Sequence, residues 1–274
     1  MSDYVQIEFS GISSEKNDFL IAGLSGIGFE GFEEGESYLK AFIPESAFEN
    51  GAVDQIARQY EVNFTVSIIR ETNWNKVWES NFQPVIVDDF CGIRTDFHEP
   101  ILNVEHEIII TTKMSFGTGH HPTTFMMMRQ MREINFPGKT VFDFGTGTGI
   151  LSILAKKSGA LNVVAVDKDD WSIENARENF QKNNCSDIFL QKANSPIGGH
   201  SEFDIVLAKI DKNVIVENFS LLAKQLNDGG ILVLSSLLSD DEKYILEEVE
   251  KYPLVLDKKL EQESWISLKF HLKN

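Results

Sequence analysis

The 274-residue chain is poor in cysteine, in positive charge and in long apolar runs. Its two cysteines, Cys91 and Cys185, are too few and too isolated for a disulfide framework or a metal cluster. We interpret both as ordinary, half-buried thiols. No apolar stretch approaches the roughly 18 residues that a membrane span needs, and the N-terminus lacks the basic region of a signal peptide. These absences predict a cytoplasmic protein without membrane contact.

Basic side chains are scarce relative to acidic ones. The chain has 25 Lys and Arg against 42 Asp and Glu, which gives a net charge of −17. Affinity for nucleic acid rests largely on lysine and arginine contacts, so we expect no direct nucleic-acid partner. The excess is strong in residues 1–72, where 13 acidic side chains face 4 basic ones. Such a surface either serves solubility alone or attracts a basic partner.

Residues 1–72 have the pattern of a small α+β domain. Apolar and polar residues alternate at 4–9, 37–43 and 63–69, as they do in strands, whereas residues 16–24 and 47–60 have a helical period. This order predicts a ferredoxin-like domain. The segment holds no cluster of catalytic residue types, and we therefore expect it to bind a partner.

Residues 73–89 are predicted to form a linker helix and connector. Trp74 and Trp78 are four positions apart on one helical face, and Pro84 ends the helix. Two tryptophans in a linker either take part in recognition or pack the linker against one domain. We favour packing, because aromatic pairs at this spacing mostly bury apolar area.

Residues 90–274 alternate between strand-like and helical runs, which predicts a doubly wound α/β sheet. The predicted strands are 107–111, 140–144, 163–167, 203–210, 230–236 and 265–272. The predicted helices are 123–135, 150–158, 171–183, 213–226 and 239–251. In such a sheet, the ligand is expected beyond the carboxyl ends of the strands.

A glycine motif, Asp143-x-Gly145-x-Gly147-x-Gly149, follows the strand at 140–144 and precedes a helical run. Its glycines allow positive φ and close approach of a ligand, and the helix N-terminus offers unpaired N–H groups. The spacing fits neither the dinucleotide fingerprint nor the Walker motif. Taken alone, the motif is equally compatible with a simple tight turn.

Asp167 strengthens the ligand interpretation. It ends a β-branched run eighteen residues after Gly149, where an acidic residue can accept hydrogen bonds from both ribose hydroxyls. Together with Asp167, the glycine motif resembles the first motif of the class I methyltransferases that use S-adenosylmethionine (SAM). The resemblance implies SAM as the cofactor and a Rossmann-like methyltransferase domain.

A second stretch, Phe-Gly-Thr-Gly-His-His-Pro-Thr-Thr from Phe116 to Thr124, precedes the glycine motif. With the run 174–179, these motifs closely resemble the bacterial ribosomal protein L-11 methyltransferase family along the whole chain. The resemblance implies a substrate-recognition domain, a linker and a methyltransferase domain, in that order. It also implies trimethylation of lysine side chains and of the N-terminal amine of one basic ribosomal protein of the large subunit. We expect a monomer.

The resemblance further implies which residues contact SAM. The predicted contacts are Phe116, Gly117, Thr118, Thr124, Asp143, Gly145, Thr146, Gly147, Gly149, Asp167, Lys168 and Lys209. The loop 115–124 is suited to closing over the methionine end of the cofactor, and Asp143 to holding the loop backbone or the cofactor's amino group. Adjacent His120 and His121 point apart and have no third ligand nearby, so we expect no metal.

Lys209 departs from the family pattern, in which an asparagine precedes the isoleucine. An amide oxygen can accept a hydrogen bond from the incoming amine, whereas an ammonium cannot accept and repels the sulfonium. Lys209 and Asp211 are therefore the catalytic candidates. One possibility is that Lys209 turns outward and that Asp211, two residues on and on the same strand face, becomes the acceptor.

Two further possibilities for Lys209 stay open. Cofactor binding survives while transfer is weak or lost, or a neutral lysine has an active role. The alternatives to methylation of L-11 are methylation of another protein or a small amine, and a SAM-binding homologue with weakened catalysis.

Overall fold

The computed structural model describes residues 3–35, 37–69, 82–111, 119–196 and 202–273. The chain divides into two compact units, residues 1–77 and residues 78–274. The tryptophans of the predicted linker, Trp74 and Trp78, lie outside the described residues, and so do the predicted cofactor contacts Phe116, Gly117 and Thr118.

The first unit is a four-stranded antiparallel sheet with two helices. Its strands are β1 (Tyr4–Ser10), β2 (Gly31–Glu34), β3 (Tyr38–Pro44) and β4 (Phe64–Ile69), and its helices are α1 (Ser14–Ser25) and α2 (Asn50–Gln59). The strand order is β2-β3-β1-β4. Alternation in β1 buries Val5, Ile7 and Phe9 in a core that the helices share.

Two details of this unit differ from the sequence expectations. Strand β2 was not predicted, because its four residues are too few to show an alternating pattern. The predicted helix 47–60 begins later, at Asn50, since residues Glu45–Ala47 form a 3-10 turn.

The second unit opens with a small three-stranded sheet. Strand β5 (Val85–Val87) pairs antiparallel with β6 (Cys91–Arg94), which pairs parallel with β7 (His106–Ile109). Buried residues of all three strands belong to the same apolar core as one face of the main sheet. The small sheet therefore extends the core of this unit.

The main sheet of the second unit has seven strands. They are β8 (Thr140–Phe144), β9 (Asn162–Asp167), β10 (Phe189–Lys192), β11 (Phe203–Lys209), β12 (Leu226–Leu238), β13 (Leu254–Gln262) and β14 (Trp265–Leu272). The strand order is β10-β9-β8-β11-β12-β14-β13. The first five are parallel, and β14 runs antiparallel to both neighbours. The carboxyl ends of β8, β9 and β11 consequently meet at one edge.

Helices cover both faces of this sheet. Helices α3 (Pro122–Met131), α4 (Ile150–Lys157) and α5 (Asp170–Lys182) share one core, whereas α6 (Lys212–Lys224) and α7 (Glu242–Val249) share the other. Val141 packs into the first core, and its neighbour Phe142 into the second. Double coverage explains why the parallel strands are almost continuously apolar. No helix of the described ranges is long and apolar enough to cross a membrane.

One sequence expectation about the site is wrong. Strand β11 ends at Lys209, and Asp211 lies beyond it as the N-cap of α6. The two-residue period of a strand no longer applies after its last residue, so Asp211 does not share a strand face with Lys209. Strands β10 and β13 were not predicted either, because polar residues interrupt their apolar patterns.

Candidate active site

The glycine loop connects β8 to α4 at the carboxyl edge of the sheet. The N–H groups of Gly145 and Thr146 both donate to the carbonyl of Val166, each at 2.9 Å, and tie the loop to β9. Gly145 has a φ of +80°, and a Cβ there would lie 3.0 Å from Ile210. The residue after β11 therefore packs closely against the loop.

Gly149 ends the loop as the N-cap of α4, with a φ of +81°. A Cβ at this position would lie 2.5 Å from Cε1 of Phe180, which leaves no room for a side chain. Glycine is needed here for its backbone conformation and for close packing against α5.

Asp143 holds the glycine loop through side-chain hydrogen bonds. Its side chain is fully buried, and its Oδ2 accepts hydrogen bonds from the Thr146 hydroxyl at 2.7 Å and the Ser152 hydroxyl at 2.6 Å. Burial raises the pKa of this carboxyl, although both hydroxyls oppose the shift. Its Oδ1 is buried and has no hydrogen-bond partner among the described residues. The carboxyl thus fixes Thr146 and keeps one buried acceptor for a ligand.

Asp167 holds the same loop from the neighbouring strand. Its Oδ2 accepts from the backbone N–H of Gly147 at 2.9 Å, and its Oδ1 accepts from that of Asp169 at 3.1 Å. Each carboxylate oxygen can accept a further hydrogen bond. Asp167 therefore positions the loop and retains acceptor capacity, while the next residue, Lys168, is exposed.

The N-terminus of α3 contributes one predicted cofactor contact, Thr124, together with His121, which was not predicted as a contact. His121 caps the helix, with its Nδ1 accepting from the backbone N–H of Thr123 at 3.3 Å. A backbone N–H only donates, so the neutral ring carries its proton on Nε2. Partial burial lowers the pKa of His121, and the positive charge of Lys209 lowers it further. The negative charge of Glu263 opposes this shift. Thr124 is buried, and its hydroxyl has no hydrogen-bond partner in the part of the chain that the structure describes.

Lys209 stands at the end of β11, half-buried. Burial lowers the pKa of its amine, and the carboxylates of Asp143 and Asp167 oppose that shift. Although all three are described residues, no ion pair within 4.0 Å joins Lys209 to either carboxylate, and the charges interact without direct contact. The structure thus brings Lys209 to the loop.

Asp211 has a separate, local contact. Its Oδ1 accepts from the backbone N–H of Asn213 at 2.9 Å, and the residue is exposed. Capping a helix stabilises it by about 1 kcal/mol. This contact accounts for an acidic residue at position 211 without a role in transfer.

A ladder of buried asparagines on α5 was missed by sequence reasoning. Asn179 accepts from the N–H of Thr111 at 2.8 Å and donates to the carbonyl of Thr148 at 2.8 Å. Asn175 donates to the Thr111 hydroxyl at 3.1 Å, and Asn183 donates to the carbonyl of Ile109 at 2.6 Å. The ladder ties the chain after β7 to the glycine loop. Its signal was the four-residue spacing of asparagines on one helical face.

The site fits a nucleoside that carries a charged amino-acid end. Asp167 offers acceptors at a strand tip, and Gly145 and Gly149 give the loop its positive-φ backbone. Two buried oxygens, Asp143 Oδ1 and Thr124 Oγ1, have no hydrogen-bond partner among the described residues. A buried acceptor without a partner costs about 1 to 3 kcal/mol, so a ligand that pairs with it binds with that cost removed.

The central sheet, its helices and this loop define an α/β methyltransferase fold, similar to the class I SAM-dependent methyltransferases. The family described as "Ribosomal protein L11 methyltransferase (PrmA)" matches residues 8–273. The chain belongs to the ribosomal protein L11 methyltransferase family, and the resemblance predicted from its motifs is confirmed.

Individual relatives agree with this assignment. The L11 methyltransferase of Porphyromonas gingivalis is 36% identical over 260 residues, covering 92% of this chain and 90% of the relative. That of Bacteroides fragilis is 34% identical over 263 residues, covering 93% and 94%. A crystal structure of the ribosomal protein L11 methylase from Lactobacillus delbrueckii subsp. bulgaricus has a TM-score of 0.65 and 27% identity, covering 70% of this chain and 100% of that chain.

Proposed function

We propose that this chain transfers methyl groups from SAM to lysine side-chain and N-terminal amines of ribosomal protein L11. The observation that carries the proposal is the glycine loop held between Asp143 and Asp167 in a chain that matches the L11 methyltransferase family over residues 8–273. We further propose that it acts in the cytoplasm, as a monomer and without direct contact with nucleic acid.

Bound SAM would supply an electrophilic methyl group on a sulfonium. Asp167 would accept the ribose hydroxyls with its remaining lone pairs, while Asp143 Oδ1 and Thr124 Oγ1 would pair with polar groups at the methionine end. The positive φ of the loop glycines would give the backbone the shape of the cofactor site. These residues bind and orient, which is the main protein contribution to an in-line transfer.

The amine that receives the methyl must be neutral, because an ammonium has no lone pair. The Nε2 of neutral His121 is a donor, so this ring orients an acceptor rather than removing a proton from the substrate. The acidic pair Asp143 and Asp167 would offset the positive charge of the bound cofactor. Proton loss to solvent from the substrate amine is therefore the simplest route.

Residues 1–72 would form a ferredoxin-like domain that selects the substrate. Residues 73–89 would link it to residues 90–274, which would catalyse the methyl transfer. The element order β1-α1-β2-β3-α2-β4 and the sheet order β2-β3-β1-β4 support that domain type. Its 13 acidic against 4 basic side chains suit a basic partner.

Strand β4 adds an apolar component to this recognition surface. It is an edge strand, and Val66 and Ile68 pair with Ile7 and Val5, which belong to the buried face of β1. The two β4 side chains are nevertheless 45% and 55% exposed, and Phe19 of α1 is 59% exposed. Exposed apolar side chains on an otherwise acidic domain are typical of a protein-binding surface.

A second candidate function is that of a SAM-binding family member with weakened transfer. Lys209 favours it, because an ammonium beside a sulfonium raises the barrier to transfer. Burial lowers the pKa of Lys209 and thereby reduces this repulsion. The balance between these effects decides how active the enzyme is.

The test is to incubate the purified chain with methyl-labelled SAM and purified L11, and to measure SAM binding by calorimetry. We expect binding and label on L11 amines. Binding without label supports the second candidate. A parallel incubation with total ribosomal protein from cells lacking the gene identifies another substrate, if label appears elsewhere. Absence of SAM binding contradicts both candidates.

A further inference from the structure

Lys209 brings an amine to the edge of the glycine loop. It is the last residue of β11, which pairs directly with β8, the strand that ends at the loop. The following residue, Ile210, is in van der Waals reach of Gly145. Any ligand held at this loop is therefore held beside the Lys209 side chain.

The amine of Lys209 has no neutralising contact within the described ranges. Its charge interacts with those of Asp143 and Asp167, yet neither carboxylate approaches within 4.0 Å, and no described residue forms a hydrogen bond to its Nζ. By comparison, Lys212, three residues later, pairs with Asp241 at 2.8 Å. A half-buried lysine that has no partner among the described residues, and whose charge interacts with two carboxylates of the loop, is available to a ligand held there.

Burial and two charged groups influence the pKa of Lys209. Asp143 and Asp167 favour the ammonium, burial favours the neutral amine, and the net effect is a lowered pKa. Burial also raises the pKa of Asp143, which weakens its support for the ammonium. His121, whose charge interacts with that of Lys209, has a lowered pKa and adds little positive charge near neutral pH. Neutral Lys209 has the lone pair that methyl transfer requires.

We propose that Lys209 is a methylation site of this chain, and that its amine takes a methyl group from SAM bound at the glycine loop of the same molecule. The lone pair of Nζ forms a bond to the methyl carbon. The carbon–sulfur bond breaks, its electron pair stays on sulfur as S-adenosylhomocysteine, and the methylated amine releases one proton to water. This inference rests on the proposed function, since it uses the same methyl donor.

Methylation of Lys209 would change the hydrogen bonding and the free space beside the glycine loop. Methylation removes hydrogen-bond donors from Lys209 and enlarges its head, while the ability to carry a positive charge remains. The self-methylated chain and the unmodified chain would thus differ in how they accommodate a substrate amine.

The test uses the full chain, SAM with a deuterated methyl group, and digestion by a protease that cleaves before aspartate. The sequence places Lys209 as the single lysine of the peptide 204–210, and Lys212 and Lys224 together in the peptide 211–227. We expect deuterated methyl on the first peptide and none on the second. The labelled fraction should grow at a rate independent of protein concentration, because donor and acceptor belong to one molecule.

A second readout needs no methyl donor. Competitive acylation with acetic anhydride reports the neutral fraction of each amine as pH rises. We expect Lys209 to become reactive at lower pH than Lys212, whose pKa is raised by its hydrogen bond to Asp241. S-adenosylhomocysteine should protect Lys209 from the reagent and leave Lys212 unchanged.

Each result decides the inference. No label on peptide 204–210 overturns it, and so does a labelling rate proportional to protein concentration, which indicates transfer between molecules. Calorimetry and L11 methylation in the same preparation separate the two proposals. If L11 is labelled and Lys209 is not, the inference fails and the proposed function stands. If SAM does not bind at all, both fail.

Discussion

The two units of this chain differ in how many polar side chains they bury. Among the described residues of the first unit, Asn17 is the single buried polar side chain. Both units expose some apolar side chains, such as Val66 and Ile68 in the first and Leu102 and Trp171 in the second. The second unit buries many polar groups, including Asp143 and Asn179. Burying a polar group costs free energy unless it is paired, so such groups are retained where geometry must be fixed. The comparison supports chemistry in the second unit, and the excess of acidic side chains in residues 1–72 supports recognition in the first.

Replacing Asp143 tests the buried polar side of the comparison and has the largest expected effect on SAM affinity. Asp143→Ala removes the acceptor of the Thr146 and Ser152 hydroxyls and the orphaned Oδ1. We expect SAM affinity, measured by calorimetry, to fall at least about a hundredfold, which is roughly 2.7 kcal/mol.

Asp204→Ala is the matched control for this change. Asp204 lies near the opposite end of the sheet, where it accepts from the backbone N–H of Thr140 at 2.8 Å. Its loss should lower stability and leave the SAM affinity of the folded protein unchanged. Equal losses of SAM affinity in both variants would remove Asp143 from the site.

Gly149→Ala tests whether the loop backbone is as constrained as its contacts indicate. The new Cβ would lie 2.5 Å from Phe180 and would force a left-handed conformation on alanine. Strain of about 1 to 2 kcal/mol adds to an overpacking cost of about 1 to 3 kcal/mol. We expect the free energy of unfolding to fall by their sum, as measured in urea.

Gly138→Ala separates the two contributions. Gly138 also has a positive φ, of 76°, but a Cβ there meets nothing within 4 Å. This variant should lose only the strain of about 1 to 2 kcal/mol. A loss as large as that of Gly149→Ala would show that the contact with Phe180 is unimportant.

Asp167→Ala tests how much a half-buried carboxylate of the second unit contributes to SAM affinity. It removes the acceptor of the Gly147 N–H and the proposed ribose contacts. SAM affinity should fall about ten- to a hundredfold, or roughly 1.5 to 3 kcal/mol. Asp169→Ala keeps the backbone N–H that Asp167 accepts from and should bind SAM normally. An unchanged affinity in Asp167→Ala means that its carboxylate does not face the cofactor.

The smallest effect is expected on the exposed apolar face. The double change Val66→Ser and Ile68→Ser removes apolar contact area from β4. We expect the KM for L11 to rise about fivefold, or roughly 1 kcal/mol, since a peripheral apolar contact contributes about this much. Thr65→Ala with Ser67→Ala changes the other face of the same strand and should leave the KM as it was.

Much of the second unit could be predicted from sequence, because its strongest signals are local. The glycine motif and Asp167 follow strands with clear apolar runs, and the structure places both at one sheet edge. The role of Asp211 could not be predicted, since it depends on where β11 ends, and strand ends leave only a weak local signal.

Other features depend on contacts between distant segments. Ser152 reaches Asp143 across nine residues, and Asn179 reaches Thr111 across 68. Such partners share no local pattern and become visible only when the sheet and helices are assembled. The exposure of β4 is equally invisible in its sequence, because Val66 and Ile68 alternate like core residues.

The proposed separation of catalysis and recognition between the two units is tested most directly by making two measurements on each of two variants. The SAM dissociation constant and the KM for L11 are measured for Asp167→Ala and for the double serine variant of Val66 and Ile68. We predict that Asp167→Ala weakens SAM binding and leaves the KM for L11 unchanged. The double serine variant should raise the KM for L11 and bind SAM normally. If either variant shifts both quantities equally, chemistry and recognition are not separated between the two units.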